Sequence, residues 1–203
     1  MMNVLTILAH PRQDGFCWDL YGEVNRFCRS NKLNLKTVDL YREDFDPVLR
    51  HPEPPINSRM VACYQELVSW ADVVIFVSPV WWYRCSTMLE GFFDKVLSHG
   101  FAFGPDGPML AGKSAMVFLS YGTSRRFNKI VLANSLKVRL TLGVLNRCFG
   151  KSTVKNLFGA SERSRRAFAL EVAMIALRGI SVPGSGSRLR GAISKSLNKI
   201  FGI

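Results

Sequence analysis

The stretch Asp72-Val-Val-Ile-Phe-Val-Ser-Pro-Val-Trp-Trp-Tyr-Arg84 decides the fold class. Residues 72–77 form a largely β-branched, apolar run, which is typical of a strand buried on both faces of a parallel sheet. Two tryptophans and a tyrosine follow almost directly, where a solvent-facing loop usually carries polar residues. We therefore predict a central parallel strand that delivers an aromatic loop to one edge of its sheet.

Strand and helix patterns alternate on both sides of this segment. Short apolar runs predict further strands at 3–9, 34–40, 114–119 and 153–158. Helical spacing predicts helices at 16–29, 58–70, 87–97, 129–146 and 163–177, and Thr87 is a predicted helix cap. This alternation predicts an α/β fold, a doubly wound five-stranded parallel sheet with helices on both faces.

Length and composition favour one intracellular domain. The 203 residues accommodate a domain over 1–180, followed over 181–203 by a Gly/Ser linker and a basic tail. Five cysteines without a CxxC pair indicate reduced thiols, and three scattered histidines indicate no metal site. Without a signal peptide or an apolar run of membrane-spanning length, we expect a cytoplasmic protein.

Loops at the carboxyl ends of the predicted strands are the candidate ligand site, because open α/β sheets bind ligands there. The first loop brings His10, Gly15, Phe16 and Cys17 to a helix N-terminus, which suits a phosphate group. The alternative is an ordinary strand-to-helix turn capped by Asp14.

Two further loops offer groups for a flat, polar-edged ligand. The second loop has planar aromatic side chains that suit a planar ring, although a hydrophobic corner or an oligomer contact would use them as well. The third combines a glycine, which permits close backbone approach, with hydroxyl groups; a simple polar turn is its alternative. Their candidate residues are Pro79, Val80, Trp81, Trp82 and Tyr83 in the second loop and Ser120, Tyr121, Gly122 and Thr123 in the third.

Several short motifs occur in a fixed order over residues 3–125. They are Leu8-Ala-His-Pro11, Asp39-Leu-Tyr41 with Phe45 and Pro47, Ala71-Asp-Val-Val-Ile-Phe76 with Pro79-Val-Trp-Trp-Tyr83, and Met88-Leu-Glu-Gly-Phe-Phe-Asp-Lys-Val96 with His99-Gly-Phe-Ala-Phe103. In this order they resemble the flavodoxin-like NAD(P)H:quinone oxidoreductase family. That family includes the DT-diaphorase type and the ancillary oxidoreductases of bacterial potassium-efflux systems.

The resemblance implies a tightly bound FMN or FAD. His10, Phe16 and Cys17 would lie along its phosphate and sugar, while the second and third loops would frame the isoalloxazine. NAD(P)H would give a hydride to flavin N5 and leave, and a quinone-type acceptor would then take two electrons in the same pocket. The resemblance also implies a homodimer, and it assigns no catalytic side chain.

Rival functions stay open at this point. A flavin-binding regulatory subunit of a membrane transport protein would explain a basic C-terminus, in which residues 151–203 carry ten Lys and Arg against two acidic residues. An electron carrier is a second alternative. The net charge of +12 also suggests nucleic acid, but no recognised motif supports that partner, and we predict none.

The tail is a separate candidate site. Leu189, Ile193, Leu197 and Ile200 fall at helical spacing within residues 188–201, which contain four basic residues and no acidic one. A basic amphipathic helix suits peripheral contact with an anionic membrane surface. The alternative is that the apolar stripe packs on the domain or on a partner subunit.

Overall fold

Strands and helices alternate along the chain in the computed structural model, which describes residues 1–51 and 58–158. The first half contains β1 (Asn3–Leu8), α1 (Gly15–Ser30), β2 (Asn34–Asp39), α2 (Arg59–Trp70), β3 (Val73–Pro79) and α3 (Thr87–Val96). The second half contains β4 (Phe103–Gly104), β5 (Gly107–Pro108), β6 (Leu110–Tyr121), α4 (Arg125–Ile130), α5 (Ser135–Val138), a π-helix (Arg139–Leu145), α6 (Asn146–Cys148) and β7 (Phe149–Phe158). The predicted helix at 163–177, the linker and the basic tail lie outside the described residues.

Five parallel strands form the main sheet in the order β2-β1-β3-β6-β7. All seven residues of β3 are buried, as its apolar run predicts for the central strand. The chain leaves β1 towards β2 on one side and returns to β3 on the other, which creates a topological switch point between β1 and β3. The predicted doubly wound α/β fold is confirmed.

Helices cover both faces of this sheet because successive strand residues point to opposite sides. Helix α1 packs Leu20, Val24 and Phe27 on one face, together with the alternate residues of the strands. Helices α2 and α3 pack on the other face, where Phe76 and Phe92 meet with ring centroids 5.8 Å apart. Within residues 1–51 and 58–158, no helix is long and apolar enough to cross a membrane.

The largest departure from prediction is the single helix expected at 129–146. The chain there forms α4, α5, the π-helix and α6, interrupted where Ala133 and Asn134 have φ of +49° and +52°. Asn134 Oδ1 accepts hydrogen bonds from Asn128 Nδ2 at 2.9 Å and from Asn156 Nδ2 at 3.4 Å. These contacts hold Asn134 in a left-handed conformation that a helix cannot continue through, and helical spacing does not reveal them.

Two smaller predictions at the element ends are also wrong. Thr87 is the first residue of α3 and not its cap, since Ser86 occupies the N-cap position without a side-chain capping bond. Strands β6 and β7 begin before 114 and 153, at Leu110 and Phe149, which pair with each other ahead of an irregularity in the register. Polar residues and glycines at these strand starts conceal the pairing in the sequence.

Gly91 fixes the packing of α3 on the chain that follows β2. A Cβ atom at this position would lie 2.2 Å from the Pro47 carbonyl oxygen, so backbone would have to move. We expect Gly91→Ala to lower the free energy of unfolding by about 1–3 kcal/mol through overpacking. Denaturant unfolding monitored by far-UV circular dichroism measures this change.

Gly22 in α1 is the matched control, because a Cβ there would meet no atom within 4 Å. Gly22→Ala should raise the free energy of unfolding by about 0.5–1 kcal/mol, since alanine is the better helix former. Equal effects of the two substitutions would contradict a steric role for Gly91.

Candidate functional site

The three predicted loops leave the sheet side by side at its carboxyl edge. They follow β1, β3 and β6, which are neighbours in the sheet. The pairing continues into the loops, as the Ala9 N–H donates to the Val77 carbonyl at 2.9 Å and the Val80 N–H donates to the Ser120 carbonyl at 2.8 Å. The fold therefore brings the candidate residues of all three loops to the switch point.

The first loop ends at an uncapped helix N-terminus. Asp14 occupies the N-cap position of α1 but makes no side-chain hydrogen bond to the first turn, and that turn contains no acidic residue. The Asp14 carboxylate instead accepts from Arg12 Nε at 2.7 Å. The side chain of Asp14 therefore does not cap the helix, and the N–H groups of Gly15, Phe16 and Cys17 have no intrahelical partners, as at other helix N-termini.

The second loop holds two bulky residues in a backbone conformation that they rarely adopt. Trp82 and Tyr83 have φ of +50° and +58°, like the central residues of a type I′ turn. The flanking Trp81 and Arg84 close the turn through two mutual backbone hydrogen bonds of 3.0 and 3.1 Å. Glycine or asparagine normally fills such positions, and strain of this kind concentrates at functional sites.

Exposure sets this aromatic turn apart from the core. Trp82 is 89% exposed, while Trp81 and Tyr83 are more than 40% exposed. Trp81 leans towards the first loop, with its ring centroid 6.1 Å from that of His10. The turn therefore stands above the switch point with aromatic surface that the described residues leave uncovered.

Ser78 anchors the aromatic turn, a role that sequence reasoning missed. The fully buried Ser78 hydroxyl donates to the Pro79 carbonyl at 3.0 Å and accepts from the Ser86 N–H at 3.1 Å. These two bonds tie the end of β3 to the start of α3. In the sequence, this role is indicated only by a serine near the end of an otherwise apolar strand.

The third loop carries a buried hydroxyl group without a described hydrogen-bond partner. Thr123 Oγ1 is buried and has no hydrogen-bond partner within the described part of the chain. An unsatisfied buried hydroxyl is unfavourable by about 1–3 kcal/mol, and a polar ligand edge would satisfy it. Tyr121 Oη is likewise buried without a described partner, and the Tyr121 ring packs on Phe158 at a centroid distance of 4.8 Å.

Among the predicted site residues, Cys17, Pro79 and Tyr121 are buried. Cys17 is 3% exposed and its thiol contacts Ser120; burial raises the pKa of the thiol to about 12, and the Ser120 contact opposes the rise. Burial likewise raises the pKa of Tyr121 to about 12. Cys17 and Tyr121 therefore offer backbone groups to the edge, while His10, Trp81 and Thr123 offer side chains.

A separate cavity lies at the opposite, amino edge of the sheet. Its volume is about 530 Å³, and Phe93, His99, Phe103 and Arg147 are among its lining residues. It contains none of the candidate residues of the three loops. The candidate site at the carboxyl edge is therefore separate from this cavity.

Known proteins share this arrangement of strands and loops. A family model described as the flavodoxin-like fold matches residues 2–151. The chain belongs to this flavodoxin-like family. An uncharacterized NAD(P)H oxidoreductase of Haemophilus influenzae is 29% identical over 169 residues, which cover 78% of this chain and 84% of that protein.

A second relative has a name that links it to ion transport. The glutathione-regulated potassium-efflux system ancillary protein KefG of Cronobacter sakazakii is 32% identical over 142 residues, covering 66% of this chain and 70% of that protein. The predicted resemblance to the flavodoxin-like oxidoreductases and potassium-efflux ancillary proteins is confirmed.

Solved structures agree on the fold. Smu.1420 of Streptococcus mutans superposes with a TM-score of 0.76 at 28% identity, covering 88% of this chain and all of that one. General stress protein 14 of Treponema denticola, solved in complex with FMN, has a TM-score of 0.60 at 22% identity, with 87% and 98% covered.

Strain in the aromatic turn predicts that stability improves when Trp82 is removed. Trp82→Gly should raise the free energy of unfolding by about 0.5–1 kcal/mol, because glycine adopts positive φ without steric penalty and Trp82 is mostly exposed. Lys32→Gly is the control, since Lys32 also has a positive φ, of +54°, but lies just after α1 and outside the aromatic turn. Chemical denaturation measures the free energy of unfolding of both variants. A Trp82→Gly protein that is less stable than the unaltered protein would contradict strain at this position.

Proposed function

We propose that this protein is a flavin-dependent NAD(P)H oxidoreductase that reduces quinone-type acceptors by two-electron transfer. The uncapped N-terminus of α1 beside the aromatic turn at the switch point is the observation that carries the proposal. The names of its relatives include NAD(P)H oxidoreductase, and one structural neighbour was solved with FMN. FMN is therefore the favoured flavin, although FAD presents the same ring and first phosphate.

Residues at the carboxyl edge of the sheet suit both the phosphate and the isoalloxazine of FMN. The backbone N–H groups of the first turn of α1 would hold the phosphate. Thr123 Oγ1 and the backbone at Gly122 would meet the polar edge of the isoalloxazine, and Trp81 would form a wall beside it. When bound, the flavin supplies hydride chemistry, while the protein binds and orients the reactants and excludes water from them.

Positive charge around the edge suits an anionic reductant. Arg84, Arg125, Arg126 and Lys129 are exposed, and residues 120–138 contain no acidic side chain. Positive surfaces of this kind concentrate anions such as pyridine dinucleotides near a site. No described side chain stands out as a proton donor, so we assign no catalytic residue.

The second candidate is a flavin-binding regulatory subunit of a membrane transport protein. Its support is the similarity to KefG, which is 47% identical over 112 residues in an Enterobacter strain, covering 55% of this chain and 54% of that protein. The two candidates share the flavin site and differ in turnover. Enzyme assays therefore separate them.

Homodimerisation, cytoplasmic location and membrane contact through 188–201 stay predictions. Phe127 and Ile130 of α4 and the following Val131 are exposed apolar residues beside the third loop, and a second subunit would cover such a surface.

Thr123→Val provides a test of the flavin assignment by an isosteric change. We expect FMN affinity to fall about two- to tenfold, because one hydrogen bond of about 0.5–1.5 kcal/mol is lost. The stability of the flavin-free protein should be unchanged or higher, because the substitution removes a buried hydroxyl that lacks a partner. Isothermal titration calorimetry with FMN and thermal unfolding provide the two measurements.

Thr153→Val, at a partly buried position of β7 outside the three loops, is the matched control and should bind FMN like the unaltered protein. A Thr123→Val protein that binds FMN normally would show that this hydroxyl does not contact the flavin. A folded protein that binds neither FMN nor FAD would overturn the proposed function.

Steady-state turnover distinguishes the enzyme from the regulatory subunit. Without an acceptor and without oxygen, the FMN-loaded protein should oxidise about one equivalent of NADH or NADPH; with a benzoquinone present it should turn over continuously at more than about 1 per second, within the range of ordinary enzymes. Parallel lines in double-reciprocal plots of initial rate against NAD(P)H concentration, at several quinone concentrations, would support one pocket shared by both substrates. Stoichiometric FMN with no turnover above that of free FMN would favour the regulatory subunit.

A further inference from the structure

A second cavity opens beside the carboxyl end of β2, away from the aromatic turn. Its volume is about 480 Å³, and side chains from α1, β2 and the turn after β2 line it. This volume lies within the range of small-molecule sites. The cavity also reaches Gln13 of the first loop, so it borders the proposed phosphate position.

Gly22 is the first observation that points to a ligand here. It lies in the middle of the 16-residue helix α1 and lines the cavity. A Cβ at this position would meet no protein atom within 4 Å, so no described contact requires glycine. Glycine destabilises a helix interior by about 0.5–1 kcal/mol relative to alanine, and close approach of a bound molecule to the helix backbone would account for its presence.

The walls of the cavity indicate what that molecule carries. The partly buried Trp18 provides a flat aromatic surface near Tyr21, at a ring-centroid distance of 6.1 Å. The Asp39 carboxylate is held in place by the Tyr41 N–H, which donates to Oδ1 at 3.1 Å. Aromatic surface suits a base, and a carboxylate suits the hydroxyl groups of a ribose.

Two guanidinium groups and a second carboxylate also line the cavity. Arg29 lies in the last turn of α1, and Arg42 donates from Nη2 to the Pro11 carbonyl at 2.9 Å. The Glu43 carboxylate accepts hydrogen bonds from the Asp39 N–H at 3.3 Å and from the Tyr64 hydroxyl at 2.9 Å. The Arg42 contact ties the cavity to the first loop. Arginine pairs with phosphate through parallel hydrogen bonds, so the cavity has a place for a phosphate as well as a base and a sugar.

We propose that this cavity binds an adenine nucleotide, with the base on Trp18 over Gly22, the ribose at Asp39 and a phosphate between Arg29 and Arg42. The identity of the base rests on the proposed function, because pyridine dinucleotides and FAD all carry adenosine. Neighbouring strands lie about 4.8 Å apart, so the ends of β2, β1 and β3 are within reach of one extended dinucleotide.

The test uses FMN-saturated full-length protein titrated with 2′,5′-ADP and with 5′-AMP by isothermal titration calorimetry. Binding of either is expected, and Gly22→Leu should weaken it at least tenfold by filling the cavity. FMN content and melting temperature should not fall in Gly22→Leu, since leucine is a good helix former. Ser30→Leu, on an exposed position of the same helix outside the cavity, should bind the nucleotides normally.

Comparison of 2′,5′-ADP with 5′-AMP distinguishes whether the cavity binds the adenosine of NADPH or that of FAD. Preference for 2′,5′-ADP, with a KM for NADPH that rises in Gly22→Leu at unchanged kcat, assigns the cavity to the reductant. Preference for 5′-AMP, with FAD bound at least tenfold more tightly than FMN to flavin-free protein, assigns it to FAD.

The proposal is overturned if neither nucleotide binds, if inorganic phosphate binds as tightly as the nucleotides, or if Gly22→Leu binds the nucleotides with unchanged affinity. Arg29→Gln, at an exposed position, is the second variant should Gly22→Leu fail to fold, and it should weaken nucleotide binding at least fivefold; unchanged affinity there would also overturn the proposal. If the unaltered protein does not bind FMN, the proposed function fails, and the same nucleotide titrations of the flavin-free protein then test the cavity by itself.

Discussion

The parallel pairing of β3 with β1 on one side and β6 on the other is the constraint on which the site depends. Register brings Leu8 opposite Val77 and Pro79 opposite Ser120, so three loops leave the sheet at one level. The chain changes direction across the sheet between β1 and β3, and ligands of open α/β sheets bind at this position. Complete burial of β3 on both faces keeps this strand in the centre of the sheet, between β1 and β6.

Much of this geometry follows from the sequence, because apolar runs and helical spacing report burial directly. The strand at 72–77, the helix at 58–70 and the order of elements around them agree with the structure to within a few residues. What the sequence concealed depends on contacts between distant residues. Asn134 is held in a left-handed conformation by Asn128 and Asn156, and the helix expected at 129–146 breaks there. The motifs placed Cys17 and Tyr121 at the site, but only packing shows that their side chains turn into the core.

Locally unfavourable features are concentrated where function is proposed. The core is well packed around Phe76 and Phe92, whereas the edge keeps an uncapped helix, two aromatic residues at positive φ and a buried hydroxyl without a described partner. Each of these features is unfavourable in the isolated chain, and each becomes favourable when an anion, a flat ring or a polar edge is added. The coincidence of all three at one switch point favours a bound cofactor over three unrelated irregularities.

The central claim is that the first turn of α1 holds the phosphate of a flavin. Two-dimensional ¹H–¹⁵N NMR, with FMN and riboflavin titrated separately into flavin-free protein, tests it most directly. FMN should shift the amide protons of Gly15, Phe16 and Cys17 downfield, as expected for hydrogen bonds to an anion, while riboflavin should shift the aromatic turn and leave these three amides in place. Identical shifts of the three amides with both ligands, or none with FMN, would contradict the account.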